Sequence, residues 1–224
     1  MKSFNVKRAV VVSMFGAITA VLYMFAKFKM PIFPSFLEIN LSMVAVIICA
    51  FMLGPIDASI CVLLRFFAKI IFMGTSTQYV GELTDLLLGL VTVLPAGIIF
   101  HYTNLKHKTI LSFILVISCW VIGGIFTNIF ISIPFYTKLY AKWGGLDAII
   151  GASRDALKLI SFGHITNVTK SNFMFYYIFF AVIPFNLLLS GIVVLVTAPI
   201  HNRLKALYDV IGTKKVEIDE NEEM

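Results

Sequence analysis

Two cations lie inside an apolar stretch of this chain. Arg65 and Lys69 belong to Ile56–Met73, which is long and apolar enough to cross a bilayer as a helix. Because they are four residues apart, both side chains leave the same face of that helix. A cation in hydrocarbon is costly unless it meets water, a partner or a ligand. Arg65 therefore predicts a partner or a site inside the protein, whereas Lys69, nearer the helix end, could also reach the membrane surface.

Carboxamides occur in two other apolar stretches. Asn128 and Asn186 each bring donors and an acceptor that another helix or a ligand must satisfy. Pro184 frees a backbone carbonyl one turn before Asn186, which adds a second polar group there. Each amide alone is equally consistent with helix packing, but two amides in one pocket with aromatic neighbours would favour ligand binding.

Two acids begin a further apolar stretch. Glu82 and Asp85 are three residues apart, where negative charge complements the dipole at the start of a helix. Asp85 could instead pair with Lys69 or Arg65 across a contact between two helices.

The sequence does not predict an enzyme. The GxxxxGK[ST], HExxH and GxSxG motifs are absent, so we expect no catalytic residues and no ATP hydrolysis by this chain itself. The four histidines and three cysteines lack the spacing of metal ligands, so we expect neither a metal site nor a cofactor.

The composition is that of an integral membrane protein. The 224 residues are 59% hydrophobic and 13% charged, and the mean hydropathy is +0.94. The apolar runs show no alternation, which predicts an all-α protein and excludes a β-barrel. The net charge of +6 does not indicate nucleic-acid binding, because the basic residues are spread over loops that flank the membrane.

Six transmembrane helices are predicted from the apolar segments. They are Ala9–Phe28, Leu41–Leu53, Ile56–Met73, Leu83–Phe100, Ile110–Ile133 and Phe173–Ile200. The second is short and must be tilted, buried by its neighbours or extended. The domain division is a cytoplasmic segment 1–8, a membrane domain 9–207 and a polar, disordered tail 208–224. The distribution of lysine and arginine, together with the short Gly54-Pro55 turn, favours cytoplasmic N- and C-termini.

This orientation places three longer loops outside the membrane, which suggests capture of a ligand from that side. Within the last of them, Asp147–Phe162 has an apolar helical face. It could form a lid that hinges at Gly144-Gly145, or an ordinary surface helix. In the first span, Ser13/Ala17 and Gly16/Ala20 form ridges of small residues that permit close helix approach, inside the protein or to a membrane partner.

The order and spacing of several short motifs resemble one family. The motifs are Phe33-Pro34…Leu37…Asn40, Leu53-Gly54-Pro55, Arg65, Gly74-Thr75-Ser76-Thr77…Gly81-Glu82-Leu83, Leu94-Pro95-Ala96-Gly97, Asn128-x5-Pro134-x-Tyr136 and Pro184-Phe185-Asn186. Together they resemble the substrate-binding S-components of energy-coupling factor (ECF) vitamin transporters, most closely the riboflavin type, and the resemblance covers about residues 7–207.

The resemblance implies a subunit that captures a vitamin, with riboflavin the first expectation, from outside a prokaryotic plasma membrane. It would join a membrane scaffold T-component and two ABC ATPases, which supply the energy for uptake. The expected substrate contacts are Phe33, Phe36, Leu37, Asn40, Thr75, Thr77, Asn128 and Asn186. The expected scaffold contacts are Gly16, Ala17 and Ala20, while Arg65, Lys69 and Asp85 would be structural or vestibule charges.

The chain also departs from the riboflavin pattern. It has Leu37-Glu38-Ile39-Asn40 where that type has Leu-Lys-x-Asp, Asp85 where it has Asn, and no lysine just after Pro184-Phe185-Asn186. A neutral flavin does not need Arg65, but an Arg65 that reached the pocket would favour a carboxylate vitamin such as folate or pantothenate. A membrane-embedded enzyme and a purely structural membrane subunit are the alternatives outside this class.

Overall fold

The fold is a bundle of helices with one small β-hairpin. The structure, a computed structural model, describes residues 6–75 and 77–211, with side chains described as far as residue 204. The first half contains α1 (Val6–Phe25), β1 (Lys27–Lys29), β2 (Glu38–Asn40), α2 (Ser42–Leu53), α3 (Pro55–Met73) and α4 (Val80–Tyr102). The second half contains α5 (Lys108–Thr127), α6 (Ile133–Leu139), α7 (Leu146–Ile160), α8 (Phe173–Tyr177) and α9 (Ile183–Ile211).

Two long helices each contain a π segment. Asn128–Ser132 joins α5 to α6 in a continuous helix Lys108–Leu139, and Ile178–Val182 joins α8 to α9. Pro134 and Pro184 each lie two residues beyond a π segment. A proline ring cannot fit the preceding turn of a regular α-helix, and a wider π turn relieves that conflict. The predicted end of the fifth span at Ile133 was therefore too early, because the helix continues through Pro134 to Leu139.

The first predicted span ended too late. We predicted Ala9–Phe28, but α1 ends at Phe25. Lys27–Lys29 instead pairs antiparallel with Glu38–Asn40. The Nζ atoms of Lys27 and Lys29 lie 3.1 and 3.5 Å from the Glu38 carboxylate. Two ion pairs thus connect the two strands of the hairpin.

Among the described residues, four helical stretches are long and apolar enough to cross a membrane. They are Val6–Phe25, Val80–Tyr102, Lys108–Leu139 and Phe173–Leu204. Of the two other predicted spans, α2 has only 12 residues and α3 carries three charged side chains. The all-α membrane architecture is thus supported, while the count of six spans and the orientation of the termini stay predictions.

Helix α2 is the centre of the bundle. Every residue of Ser42–Leu53 is buried, as expected for a helix that is apolar on all faces. Of the three arrangements open to this short span, the structure shows burial by neighbouring helices, namely α1, α3, α4 and α9.

The predicted polar tail begins later than expected. Helix α9 continues to Ile211, so residues 208–211 are helical, and the remaining part of that tail, 212–224, lies outside the described residues.

Helix α7 lies at the end of the bundle that carries the β-hairpin, which we call the hairpin end, because its residues line the same cavity as Lys27 and Lys29. It buries Ile149, Ile150, Ala156 and Leu157, close to the apolar face predicted from the sequence. Gly144 and Gly145 precede it with positive φ angles of 102° and 58°, which glycine adopts without steric cost. The helical structure is therefore interrupted at Gly144-Gly145, the position that the sequence predicted as a possible hinge.

Candidate functional site

A cavity of about 590 Å³ lies at the hairpin end, between the two hydrophobic core clusters of the bundle. This volume is within the range of small-molecule binding sites. Its wall is assembled from all parts of the chain, with Tyr23 from α1, Lys69 from α3, Asp85 from α4 and Ile149 from α7 among the lining residues.

The structure brings both carboxamides to this cavity. Asn128 Nδ2 donates to the Gly124 carbonyl at 2.8 Å, and its Oδ1 accepts from the Tyr177 hydroxyl at 2.7 Å. Asn186 Nδ2 donates to the Val182 carbonyl at 2.8 Å. Both side chains are thus held in place, and each amide retains hydrogen-bonding capacity for a ligand.

Gly124 allows the two helices that carry these amides to approach. A Cβ atom at this position would lie 2.6 Å from Asn186 Nδ2. Any larger residue would therefore displace the Asn186 side chain from its place in the cavity wall.

The segment after the hairpin turn supplies apolar and aromatic wall. Phe36, Leu37 and Asn40 line the cavity. The Phe36 ring lies 6.1 Å from the ring of Tyr136 and 5.9 Å from that of Tyr177, measured between centroids. A planar ligand ring would find aromatic neighbours here.

Two of the expected substrate contacts do not reach the cavity wall. Phe33 is buried against Phe185, with ring centroids 5.3 Å apart, and so supports a lining residue from behind. Thr75 Oγ1 donates to Glu82 Oε2 at 3.0 Å and likewise lies behind the wall, whereas Thr77 lines it. Phe33 and Thr75 therefore lie outside the lining of this cavity, and their contact with a substrate stays a prediction.

Arg65 has the internal partner that its position predicted. Its Nη2 lies 3.5 Å from Asp85 Oδ2, Nη1 donates to the Ser42 hydroxyl, and the guanidinium lies 4.9 Å from the Tyr23 ring centroid. Only 2% of the Arg65 side chain is exposed, and it is not among the described residues that line the cavity. The guanidinium therefore lies on the side of Asp85 that faces away from the cavity.

Lys69 has a partner inside the protein. Its Nζ contacts Glu82 Oε1, so of the two cations predicted as alternative partners of Asp85, Arg65 is the one that pairs with it. Glu82 Oε2 also accepts from the hydroxyls of Thr75 and Thr77 at 3.0 and 2.8 Å. This network fixes the loop between α3 and α4 against the cavity wall.

Two of the small residues of α1 pack internally. Gly16 and Ala20 are buried, and a Cβ on Gly16 would lie 2.5 Å from the Leu64 side chain of α3. Of the three expected scaffold contacts, Ala17 alone is exposed. It lies in a row of exposed apolar residues on α1, namely Val10, Met14, Ile18 and Val21.

Several lining residues were not identified from the sequence. Trp120 had a usable signal, because it precedes Gly124 and Asn128 by one and two helical turns and so shares their face. Tyr23 and Tyr140 had none, since they come from segments distant in the chain whose approach depends on the tertiary fold.

An apolar helical bundle around a polar and aromatic cavity is typical of a membrane protein that binds a small molecule. Residues 7–201 match the family described as "ECF transporter, substrate-specific component", and the chain belongs to this family. The resemblance to ECF S-components is thereby confirmed, and the family is one of transport components, not of enzymes. The riboflavin type stays a prediction.

Among solved structures, the fold is similar to that of the S component of a bacterial ECF transporter. The TM-score is 0.62 at 22% sequence identity, and the match covers 90% of this chain and 96% of that one. None of the curated proteins matches the chain.

Proposed function

We propose that this chain captures riboflavin from outside a prokaryotic cell as the substrate-binding subunit of an ECF-type importer. The observation that carries the proposal is the lining of the cavity, which combines an aromatic wall, two held carboxamides and balanced charge. The proposal further comprises six transmembrane helices, cytoplasmic termini, a membrane scaffold subunit and two ATPases that hydrolyse ATP in its place.

The shape and chemistry of a flavin suit this lining. Its planar ring needs aromatic neighbours and amide-like partners at the polar edge. Phe36 and Tyr136 supply the aromatic neighbours, with the buried Tyr177 packed behind Phe36, and Asn128 and Asn186 supply the amide partners. The hydroxyls of the ribityl chain need polar groups, which Thr77, Thr84 and Ser132 offer in the same cavity.

The balance of charge favours a neutral ligand over a carboxylate vitamin. Three cations line the cavity, Lys27, Lys29 and Lys69, against three carboxylates, Glu38, Glu82 and Asp85. Each cation is already paired with one of these acids. Arg65, the residue that would favour folate or pantothenate, is engaged behind the wall and offers no free cation to a carboxylate.

Purification from riboflavin-containing medium tests the proposal. We expect a yellow protein whose absorbance spectrum shows flavin close to one per chain. Protein freed of ligand should bind riboflavin by calorimetry, and folate or pantothenate should not compete. A colourless preparation that takes up no added riboflavin would refute the flavin assignment, and binding of folate or pantothenate would replace it with a carboxylate vitamin.

A further inference from the structure

We infer that Asp85 selects the ligand by accepting hydrogen bonds from its hydroxyl groups. This inference rests on the proposed function and names the part of the ligand that the α4 wall of the cavity recognises. It assigns a specificity-determining role to a side chain expected from the sequence to be a structural or vestibule charge.

The three carboxylates of the cavity differ in how far their oxygens are occupied. Glu82 contacts Lys69 and accepts from two threonine hydroxyls, and Glu38 is shared by Lys27 and Lys29. Asp85 has Arg65 on one side and the Tyr23 side chain beside it. A carboxylate offers about four acceptor positions, so Asp85 retains capacity for a ligand. Unlike Glu38, whose two lysines line the cavity, Asp85 has its cation outside the cavity wall.

The exposed part of Asp85 faces the cavity. Its side chain is 32% exposed and lines the cavity, whereas that of its partner Arg65 is 2% exposed. Oδ2 is the buried oxygen, 3.5 Å from Arg65 Nη2, and it accepts no hydrogen bond from the described residues. Because Oδ2 is enclosed, a ligand in the cavity would approach the carboxylate from the Oδ1 side.

The carboxylate is held in place before a ligand arrives. Arg65 bridges three neighbouring helices, because it contacts Ser42 of α2 and Asp85 of α4 from its own position on α3. Its Nη2 also donates to the Asp85 backbone carbonyl at 3.3 Å. Arg65 is thus a positioning residue for Asp85, and a preorganised acceptor loses less entropy on binding.

An ionised carboxylate accepts hydrogen bonds and cannot donate them. It favours hydroxyl donors on the ligand and repels a ligand carboxylate. Nearby, the hydroxyls of Thr84 and Ser132 lie 3.3 Å apart on facing helices of the same cavity and add donors and acceptors. The ligand class that fits is neutral and polyhydroxylated, and in a flavin the hydroxyls belong to the ribityl chain.

A comparison of two flavins isolates this contact. Riboflavin carries the ribityl chain, whereas lumiflavin has the same ring with a methyl group in its place. In the purified, ligand-free full chain, we expect Asp85→Leu to weaken riboflavin binding about 10- to 100-fold by calorimetry, the range for a lost charge-assisted hydrogen bond. Asp85→Asn should weaken it less, because one acceptor oxygen remains. Lumiflavin binding should change less than about twofold in both variants, since it makes no such bond.

The matched control is Asp57→Asn. Asp57 also pairs with an arginine, Arg8, at 2.5 Å. However, it lies in the first turn of α3, at the end of that helix opposite to Lys69, and does not line the cavity. Affinity for both flavins should stay unchanged. If Asp85→Leu alone does not fold, the double variant Arg65→Met, Asp85→Leu removes both charges and takes its place in the comparison.

The outcomes separate this inference from the proposed function. Equal weakening of riboflavin and lumiflavin by the Asp85 variants would mean that Asp85 acts through the structure of the wall, which overturns the inference and leaves flavin binding intact. A wild-type protein that binds neither flavin would overturn the proposed function, and this inference with it.

Discussion

The charge of Arg65 is tolerated in an apolar helix because several groups share it. Asp85 neutralises it, Ser42 accepts a hydrogen bond, and the Tyr23 ring lies within cation–π distance. Removal of one member of a buried ion pair leaves the other uncompensated, which is more costly than the pair itself is stabilising. Asp85→Leu by itself would leave the Arg65 charge uncompensated, and the double variant Arg65→Met, Asp85→Leu avoids that cost.

At the same scale, Gly124 controls the position of Asn186. We expect Gly124→Ala to weaken riboflavin binding about tenfold or more, because its methyl group would displace the amide and cost at least one hydrogen bond. Calorimetry on the purified protein measures the effect. Gly191→Ala is the matched control, since a Cβ there meets nothing within 4 Å and affinity should not change. Equal affinity in both variants would show that the Asn186 amide does not contact the ligand.

At the scale of elements, α7 stands over the cavity. Ala148, Ile149 and Ala152 of this helix line it, and the two positive-φ glycines Gly144 and Gly145 precede the helix. A lid and an ordinary surface helix were both open from the sequence. The contact of α7 with the cavity supports the lid as a proposal.

The lid proposal predicts a block by added volume. Ala148→Phe should lower riboflavin affinity about tenfold or more, because the ring would occupy space in a cavity of about 590 Å³. Gly151→Phe, on the same helix where an added Cβ meets nothing within 4 Å, should leave affinity unchanged. Calorimetry distinguishes the two, and indistinguishable variants would count against α7 as a cover of the bound ligand.

At the scale of the whole molecule, the exposed row on α1 is the surface we propose for the scaffold subunit. Because Gly16 and Ala20 are occupied by contacts within the protein, the proposed contact centres on Ala17. A small side chain among exposed apolar ones permits close approach of a membrane helix.

A bulky residue at position 17 should therefore impair assembly with the scaffold subunit and leave ligand binding unchanged. We expect Ala17→Trp to reduce co-purification with the scaffold subunit and the ATPases several-fold, with riboflavin affinity unchanged. Ile122→Trp, at a residue of α5 that is 66% exposed, is the control and should co-purify like the wild type. Full assembly of the Ala17 variant would place the scaffold contact on another face.

The fold class, the approximate bounds of the helices and the family could be predicted from sequence. Hydrophobicity and length are properties of each segment by itself, so an apolar run indicates a helix in membrane whatever surrounds it. The sequence also predicted that Arg65 needs a partner inside the protein, because the free-energy cost of a cation in hydrocarbon does not depend on the fold. The end of α1 was missed because Lys27–Lys29 pairs with a strand nine residues further along the chain.

The identity of each contact was decided by the tertiary structure. Asp85 was a candidate partner for either cation, and the rotation of α4 against α3 placed it beside Arg65 and brought Glu82 to Lys69. The same packing buried Gly16 against α3 and left Ala17 outside. Helix rotation and depth are set by many long-range contacts at once. The sequence by itself thus determined which residues needed partners, and only the packed bundle determined which partners they have.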